Sequence, residues 1–226
     1  FLHMQTFFIT LMGPPGSGKG TISRMCRDKY GVKTLSTGDL CRTHIASGTD
    51  LGKEIEKIIN SGEYIPDSWI SEMVIDWFEK EFSESGLILD GYPRTKGQGD
   101  TFINFLREKK LDKIFKVVLL EVDEKILISR LTSRIVCSNK ECQAVYSTAV
   151  KIPKIDGKCD ECGSILVKRK HDRAEAVTER LLVYARYKNE LIKFYEEAGC
   201  SIEIIHLSDQ TIPEMFEEFK TCLGIE

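Results

Sequence analysis

The apolar segment Phe7-Phe8-Ile9-Thr10-Leu11-Met12 runs directly into Gly13-Pro14-Pro15-Gly16-Ser17-Gly18-Lys19-Gly20-Thr21, and this stretch decides the fold. A continuous apolar run is typical of a parallel strand that is buried on both faces. The glycines after it let backbone N–H groups converge on phosphate oxygens, and the following helix adds the positive end of its dipole. The stretch therefore predicts a strand, a phosphate-binding loop and a helix, with Lys19 placed to contact the β- and γ-phosphates of a nucleotide.

The loop departs from the strict P-loop pattern at one position. That pattern has Ser or Thr directly after the lysine, whereas here Gly20 follows Lys19 and the hydroxyl comes one place later, at Thr21. The segment thus matches a variant that ends in Gly-Lys-Gly-Thr. The alternative is an ordinary glycine turn, which would require the glycines, the lysine and the strand–helix context to coincide by chance.

Composition and charge narrow the class of protein. The 226 residues suffice for one α/β domain with insertions, and the net charge of -3 argues against general nucleic-acid binding, which usually needs a concentrated basic face. No segment approaches the roughly 18 apolar residues of a membrane span. The first residues also lack the pattern of a secretion signal. We therefore expect a cytoplasmic protein without a membrane or nucleic-acid partner.

Predicted strands and helices alternate along the chain. The strands are predicted at 7–12, 32–35, 87–90, 115–122 and 202–207, and the helices at 21–30, 68–82, 97–109, 124–133, 174–198 and 213–223. This alternation indicates an α/β fold, a five-stranded parallel P-loop sheet flanked by helices, with ligands at the carboxyl ends of the strands. A helix-rich insertion over 36–65 and a cysteine-bearing segment over 134–172 interrupt the pattern.

A second motif, Asp90-Gly91-Tyr92-Pro93-Arg94, follows the third strand. A carboxylate at that strand end can hold Mg²⁺, directly or through the waters that the ion retains, and we assign this role to Asp90. The turn after it would direct Arg94 into the cleft, where a guanidinium can bind phosphate through two parallel hydrogen bonds. A plain Gly-Pro turn with a surface arginine is the alternative.

A third motif, Ser36-Thr37-Gly38-Asp39-Leu40-Cys41-Arg42, has the pattern of a loop that enters a helix through a capping residue. Arg42 would then lie near the first turn of that helix. Taken alone, this segment favours a solvated helix arginine over a binding residue.

Four cysteines are arranged as Cys137-x4-Cys142-x16-Cys159-x2-Cys162. Two such pairs predict a tetrahedral Zn²⁺ site, and four thiolates leave no open position, so the predicted role is structural. A segment this short cannot build its own core, and the metal would hold it folded. Free thiols and disulfides are the alternatives, although paired cysteines in a reducing compartment usually bind metal.

Together these motifs resemble those of the adenylate kinases. The resemblance rests on the three motifs above, on Gln98, Arg130 and Arg134, on the cysteine-bearing insertion and on the segment 169–180, and it extends over the chain from Met4. It implies reversible phosphoryl transfer from Mg·ATP to AMP, giving two ADP, by a monomer. It also implies a core of residues 4–35, 66–133 and 173–226, a helical AMP-binding insertion over 36–65 and a small zinc-ribbon-like lid over 134–172.

The resemblance further implies individual roles. AMP would be bound by Thr37, Gly38, Arg42, Ile65, Gly91, Arg94, Gln98, Arg169 and Arg180, with Gln98 reading the adenine edge. ATP would be bound by Gly13, Pro15, Gly16, Ser17, Gly18, Lys19, Gly20, Thr21, Arg130 and Arg134. The catalytic group would comprise Lys19, Arg94, Arg130, Arg134, Arg169, Asp172 and Arg180. We expect no nucleophile, because phosphoryl transfer depends on positioning and charge neutralisation.

Three positions depart from the family pattern. Four residues separate Cys137 from Cys142, where zinc-lid members usually have two, His171 replaces a usual aspartate, and Ala174 replaces a common glutamate. A histidine cannot accept from arginine as a carboxylate does, so we predict slower or altered catalysis. The open alternatives are another nucleotide acceptor or donor, or a weakly catalytic nucleotide-responsive binding protein. A zinc-ribbon nucleic-acid binder conflicts with the charge balance and with the phosphate loop.

Overall fold

The computed structural model describes residues 7–61, 65–82, 86–139, 142, 144–148, 151–168 and 172–225. The strands in this part of the chain are β1 (Phe8–Met12), β2 (Lys33–Ser36), β3 (Leu87–Asp90), β4 (Lys116–Val122), β5 (Arg134–Cys137), β6 (Val145–Ser147), β7 (Leu166–Val167) and β8 (Ser201–Leu207). The helices are α1 (Lys19–Tyr30), α2 (Thr37–Ala46), α3 (Asp50–Ser61), α4 (Asp67–Glu81), α5 (Lys96–Glu108), α6 (Glu124–Thr132), α7 (Ala174–Glu197) and α8 (Ile212–Leu223).

The main sheet has five strands in the order β2-β3-β1-β4-β8, and every pairing is parallel. The predicted five-stranded parallel sheet is therefore confirmed. In this register Asp90, the last residue of β3, lies beside Leu11 of β1. The phosphate loop after β1 and the carboxylate of Asp90 consequently lie at the same edge of the sheet.

Apolar side chains cover both faces of this sheet, as the continuous apolar strands predict. All five residues of β1 are buried, and alternate side chains point to opposite faces. Phe8 packs on one face, with its ring centroid 5.2 Å from that of Phe115, while Ile9 packs on the other face in the cluster that contains Phe219. Full burial of each such side chain contributes about 1.5–3 kcal/mol, so the sheet is stabilised by its own core.

Four helices begin one or two residues earlier than predicted, and in α5 and α8 a capping side chain sets the start. Thr95 Oγ1 accepts a hydrogen bond from the backbone N–H of Gln98 at 3.2 Å, which places the start of α5 at Lys96. Thr211 forms a reciprocal capping box with Glu214 at the start of α8. These bonds satisfy backbone N–H groups that have no partner within the helix.

Two smaller units interrupt the core. Helices α2 and α3 occupy the predicted helix-rich insertion, and strands β5, β6 and β7 form an antiparallel sheet in the order β6-β5-β7 within the predicted lid. Among the residues that the structure describes, no helix combines the length and the apolar character needed to cross a bilayer.

Candidate active site

The phosphate loop joins β1 to α1 at the centre of the sheet. Gly18 caps α1 with φ 100°, a left-handed conformation that side-chain-bearing residues rarely adopt. A Cβ atom at this position would also lie 2.7 Å from Met215 Sδ. Glycine is thus required at position 18 both for the left-handed turn and for packing against α8. Because this turn ends the loop, α1 begins at the next residue, Lys19.

Lys19 is held inside this loop. Its Nζ donates to the carbonyl oxygens of Gly13 at 2.7 Å and Pro14 at 2.9 Å, and to Ser17 Oγ at 3.3 Å. The loss of water around the ammonium group lowers the pKa of Lys19 to about 8, and the charge of Asp90 partly offsets this effect. Binding of an anion here would relieve the unfavourable environment of the ammonium.

Further charged side chains lie close enough to the phosphate loop to act on Lys19. The charges of Arg94, Arg180 and Arg134 all act on Lys19 and lower its pKa further. These arginines come from a loop after β3, from α7 and from the start of β5, so the fold collects them from separate parts of the chain. A cleft with this excess of positive charge can bind and neutralise transferring phosphates.

Asp90 borders the phosphate loop. A Cβ atom added at Gly20 would lie 3.3 Å from Asp90 Oδ2, so the carboxylate lies close to the first turn of α1. Oxygen ligands of this kind suit Mg²⁺, so Asp90 would hold the ion beside the loop that binds the nucleotide phosphates. The absence of a side chain at Gly20, where the strict motif has a hydroxyl, allows this close approach.

Residues predicted to hold a second phosphate lie together beside the loop after β3. The Gly91 carbonyl oxygen accepts from Arg94 Nε at 2.7 Å and from Thr37 Oγ1 at 3.3 Å. Arg42 forms an ion pair with Asp39 one turn earlier in α2, and the charges of both Arg42 and Arg94 act on the thiol of Cys41. The two predicted phosphate-binding arginines therefore approach the same region from different elements.

Gln98 lies buried next to this region. Its Oε1 accepts from the backbone N–H of Arg94 at 2.9 Å, and its Nε2 donates to Asp67 Oδ1 at 2.7 Å. Ile65, the other residue predicted to border the adenine, is half-buried against the hydrophobic core. The sequence analysis did not identify Asp67, whose local signal is that of an acidic residue in the first turn of α4, directly after Pro66.

Asp172 joins two of the predicted catalytic arginines. Arg134 donates to its carboxylate through Nε at 2.7 Å and Nη2 at 2.6 Å, and Arg180 Nη1 donates to Asp172 Oδ1 at 3.2 Å. The carboxylate is buried, which strengthens both interactions. Burial and the charge of Arg134 lower the pKa of Arg180, and Asp172 opposes the shift. Arg169 and His171, which the sequence also singled out, lie outside the described residues.

Arg130 of α6 contacts the backbone at the end of the sheet. Its Nη2 donates to the carbonyl oxygen of Ser208 at 3.1 Å, in the loop that follows β8. This contact joins α6 to the carboxyl end of the last strand of the sheet. Both arginines that are predicted to bind ATP thus have a protein partner: a backbone carbonyl group for Arg130 and the carboxylate of Asp172 for Arg134.

The four cysteines of the predicted lid converge. Their Sγ atoms all lie within 4.8 Å of one another, with Cys137 and Cys162 3.4 Å apart and Cys142 and Cys159 3.7 Å apart. Tetrahedral Zn–S bonds of about 2.3 Å place sulfurs about 3.8 Å apart, so this set fits Zn²⁺. Burial raises the pKa of Cys142 to about 12, whereas hydrogen bonds from Ser164 lower that of Cys162 to about 6.

A contact that the sequence did not predict joins the lid to the core. Arg24 of α1 donates to both carboxylate oxygens of Glu161, at 3.1 and 2.8 Å, and Lys151 lies 3.5 Å from the same carboxylate. Glu161 stands between the ligand candidates Cys159 and Cys162. No local pattern connects residues 137 positions apart, so the sequence alone carries no signal for this pair.

Comparison with known proteins agrees with the geometry. The sequence model of the adenylate kinase family matches residues 11–200. The chain is 40% identical over 216 residues to an adenylate kinase of Methanothrix thermoacetophila, covering 96% of this chain and 98% of that relative. Identity is 39% over 217 residues to the enzyme of Methanosarcina mazei and 37% over 216 residues to that of Clostridium tetani, with the same coverage. From the phosphate loop to the lid, the chain belongs to the adenylate kinase family.

Proposed function

We propose that this protein transfers the terminal phosphoryl group of Mg·ATP reversibly to AMP, giving two molecules of ADP. The observation that carries the proposal is the convergence of Lys19, Arg94, Arg134 and Arg180 on one cleft at the end of β1. Such a set neutralises charge on a moving phosphoryl group without forming a covalent bond to it. Membership of the adenylate kinase family names the donor and the acceptor.

Two separate regions bind the phosphates of the two nucleotides. The loop from Gly13 to Thr21 and Lys19 bind the ATP phosphates, while Arg42 and Arg94 bind the phosphate of AMP. An oxygen of the AMP phosphate attacks the γ-phosphorus in line, and the bond from that phosphorus to the β–γ bridging oxygen breaks, releasing ADP. Arg42 exchanges Asp39 for the substrate phosphate, since an exposed ion pair of this kind contributes only about 0–1 kcal/mol.

The remaining residues position this machinery. Asp172 acts as a positioning residue, because it holds Arg134 and Arg180 together rather than contacting the nucleotide. Arg130 and Arg169 complete the set around the ATP phosphates. Asp90 holds Mg²⁺, directly or through water, and the ion supplies neutralising charge on the phosphate oxygens.

The lid carries a structural Zn²⁺ bound by Cys137, Cys142, Cys159 and Cys162. Closure of this lid, residues 134–172, excludes water that would otherwise compete with AMP for the phosphoryl group. The core of residues 4–35, 66–133 and 173–226 and the AMP-binding insertion of residues 36–65 complete the division of the chain. We further propose a monomer in the cytoplasm that acts on small nucleotides and has no nucleic-acid or membrane partner.

A coupled assay of ADP formation tests the proposal, using Mg·ATP with AMP, GMP, CMP or UMP in turn. We expect rapid turnover with AMP and at least about a hundredfold loss in Lys19→Met. Lys80→Met, an exposed lysine on α4, is the matched control and retains activity. Turnover with another acceptor alone would refute the AMP site, and ATP binding without turnover for any acceptor would favour a nucleotide-responsive binding protein.

A further inference from the structure

The side-chain amide of Gln98 is held in one orientation by two partners of opposite character. A backbone N–H, here that of Arg94, can only donate, and an ionised carboxylate, here that of Asp67, can only accept. Oε1 must therefore face Arg94 and Nε2 must face Asp67. Rotation of the amide by 180° would set oxygen against carboxylate and N–H against N–H, which loses both hydrogen bonds and adds repulsion.

Asp67 is itself fixed in place. Its Oδ2 accepts from Thr95 Oγ1 at 2.6 Å, and a Cβ atom at Gly97 would lie only 3.0 Å from the same oxygen. As the first residue of α4 its charge also benefits from the positive end of the helix dipole. The carboxylate therefore stays where it can hold Gln98, and it bridges α4 to the start of α5.

The fixed amide retains one acceptor site on Oε1 and one N–H on Nε2 after these two bonds. Adenine offers an N6 donor beside a ring-nitrogen acceptor, so it can bond to both groups of the amide at once. On the Watson–Crick edge, guanine reverses both groups: the acceptor O6 replaces the N6 donor, and the donor N1–H replaces the N1 acceptor. In the orientation that Asp67 fixes, O6 would face Oε1, another acceptor. An amide free to rotate would accommodate guanine, but the amide that Asp67 holds would not.

We propose that Asp67 is the specificity-determining positioning residue of the acceptor site: it fixes the Gln98 amide in the orientation that accepts adenine and rejects guanine. This inference rests on the proposed function, in which Gln98 reads the base of AMP. Asp67 acts through Gln98 and needs no contact with the nucleotide.

The test compares AMP with GMP in the full-length protein and in Asp67→Asn. An asparagine can offer either its oxygen or its NH₂ group, so it permits both orientations of Gln98. We expect the ratio of kcat/KM for AMP over GMP to fall by at least about fivefold, the equivalent of one net hydrogen bond. Asp76→Asn, on the exposed face of the same helix, is the matched control and keeps the wild-type ratio.

A ratio that falls by less than this in folded Asp67→Asn overturns the inference, because general damage to the site lowers both values of kcat/KM together. Asp67→Ser is measured in parallel and decides by the same criterion if the asparagine variant does not fold. Equilibrium dissociation constants for AMP and GMP give the ratio without turnover. A wild-type protein that binds AMP but does not phosphorylate it would refute the proposed function and still leave the role of Asp67 testable.

Discussion

The phosphate cleft and the lid carry similar charged groups, but they are stabilised by different means. The cleft stands on a parallel sheet with buried clusters on both faces, and β1 is buried along its whole length. In the lid, the described residues form one small cluster of Cys137, Ala144, Tyr146 and Cys159, while Ile152 and Ile165 are 69% and 68% exposed. The core is thus stabilised by apolar burial, whereas the described part of the lid has little apolar burial and instead carries the four cysteines and the ion pairs of Glu161.

The residues of the proposed site are therefore positioned by two different parts of the molecule. Lys19, Asp90 and Arg94 are positioned by the sheet and by the loops at its edge. Arg134 belongs to the lid sheet and is fixed through Asp172. Changes within the lid should therefore reduce catalysis while the core remains folded.

Loss of the proposed zinc site should produce the largest effect. In Cys142→Ser we expect the lid to lose its structure, because structural zinc supplies on the order of 10 kcal/mol to such units. Trypsin should then cleave at the lid lysines, kcat should collapse, and the circular dichroism of the core should remain. Cys222→Ser, at a free cysteine on α8, is the control. A protease-resistant, active Cys142→Ser would show that the lid folds without metal.

The Asp172 junction should give the next largest effect. Removal of its charge takes away the carboxylate that offsets the repulsion between Arg134 and Arg180, and breaking a buried ion pair costs about 3–5 kcal/mol. We expect Asp172→Asn to lower the melting temperature and to reduce kcat by at least about tenfold. Thermal unfolding and initial rates measure both effects against Asp156→Asn, an exposed aspartate of the lid. Wild-type rates in the variant would exclude Asp172 as the positioning residue.

The pH dependence of kcat/KM for ATP should reflect the titration of Lys19, a residue of the core. The pKa of Lys19 is lowered to about 8, so the empty enzyme loses this charge as pH rises through 8. We expect kcat/KM for ATP to fall above pH 8, and kcat to fall only at higher pH, because bound phosphates favour the ammonium form. The unfolded chain keeps its proton up to the usual pKa of 10.5, so this group makes stability rise between about pH 8 and 10.5.

Lys19→Arg sharpens this test, because an arginine remains charged throughout that range. The decline of kcat/KM above pH 8 should be absent in the variant, whatever its absolute rate. A decline that persists in Lys19→Arg would assign the titration to another group.

A smaller effect is expected at position 171, where the sequence predicts that a histidine slows catalysis. Asp172 already holds both Arg134 and Arg180, so we expect little further gain from a carboxylate next to it in the sequence. We expect His171→Asp to raise kcat by a small factor in steady-state assays, and an unchanged kcat would contradict the prediction. Ala174→Glu provides the companion measurement at the other departure from the family pattern.

The smallest effect should come from the contact between α1 and the lid. Arg24 and Glu161 are 25% and 42% exposed in their side chains, and pairs of this kind contribute about 0.2–1 kcal/mol. Glu161→Gln should change kcat/KM by about twofold at low salt and by less at high salt. A double-mutant cycle with Arg24→Gln isolates the pair, and a coupling energy of zero would remove it as a link between lid and core.

The sequence predicted the elements whose signals are local. The apolar run before Gly13 and the strand that ends at Asp90 revealed the sheet, because strands buried on both faces need continuous apolar residues. The glycines after β1 are an equally local signal, and they predicted the phosphate-binding loop. The starts of α5 and α8 were misplaced by one residue, because the caps Thr95 and Thr211 decide them.

The partners of the site residues were not predictable in the same way. Asp67 contacts Gln98 across 31 positions, and Arg134 contacts Asp172 across 38. Such pairs depend on how α4, α5 and the lid pack against one another. A single sequence contains no local pattern that predicts this packing. The resemblance implied a catalytic role for Asp172 but did not name its partners, and its contacts join two arginines of the same group.

The bidentate contact between Arg134 and Asp172 also has a consequence for how this chain can evolve. It joins the point where the chain leaves the core to the point where it returns, so the two ends of the lid segment are held together. When the two ends of an inserted segment are held together, even a long insertion adds little conformational-entropy cost to the folding of the core. Selection can therefore lengthen, shorten or re-space the cysteine segment, as the four residues between Cys137 and Cys142 illustrate, without disturbing the sheet.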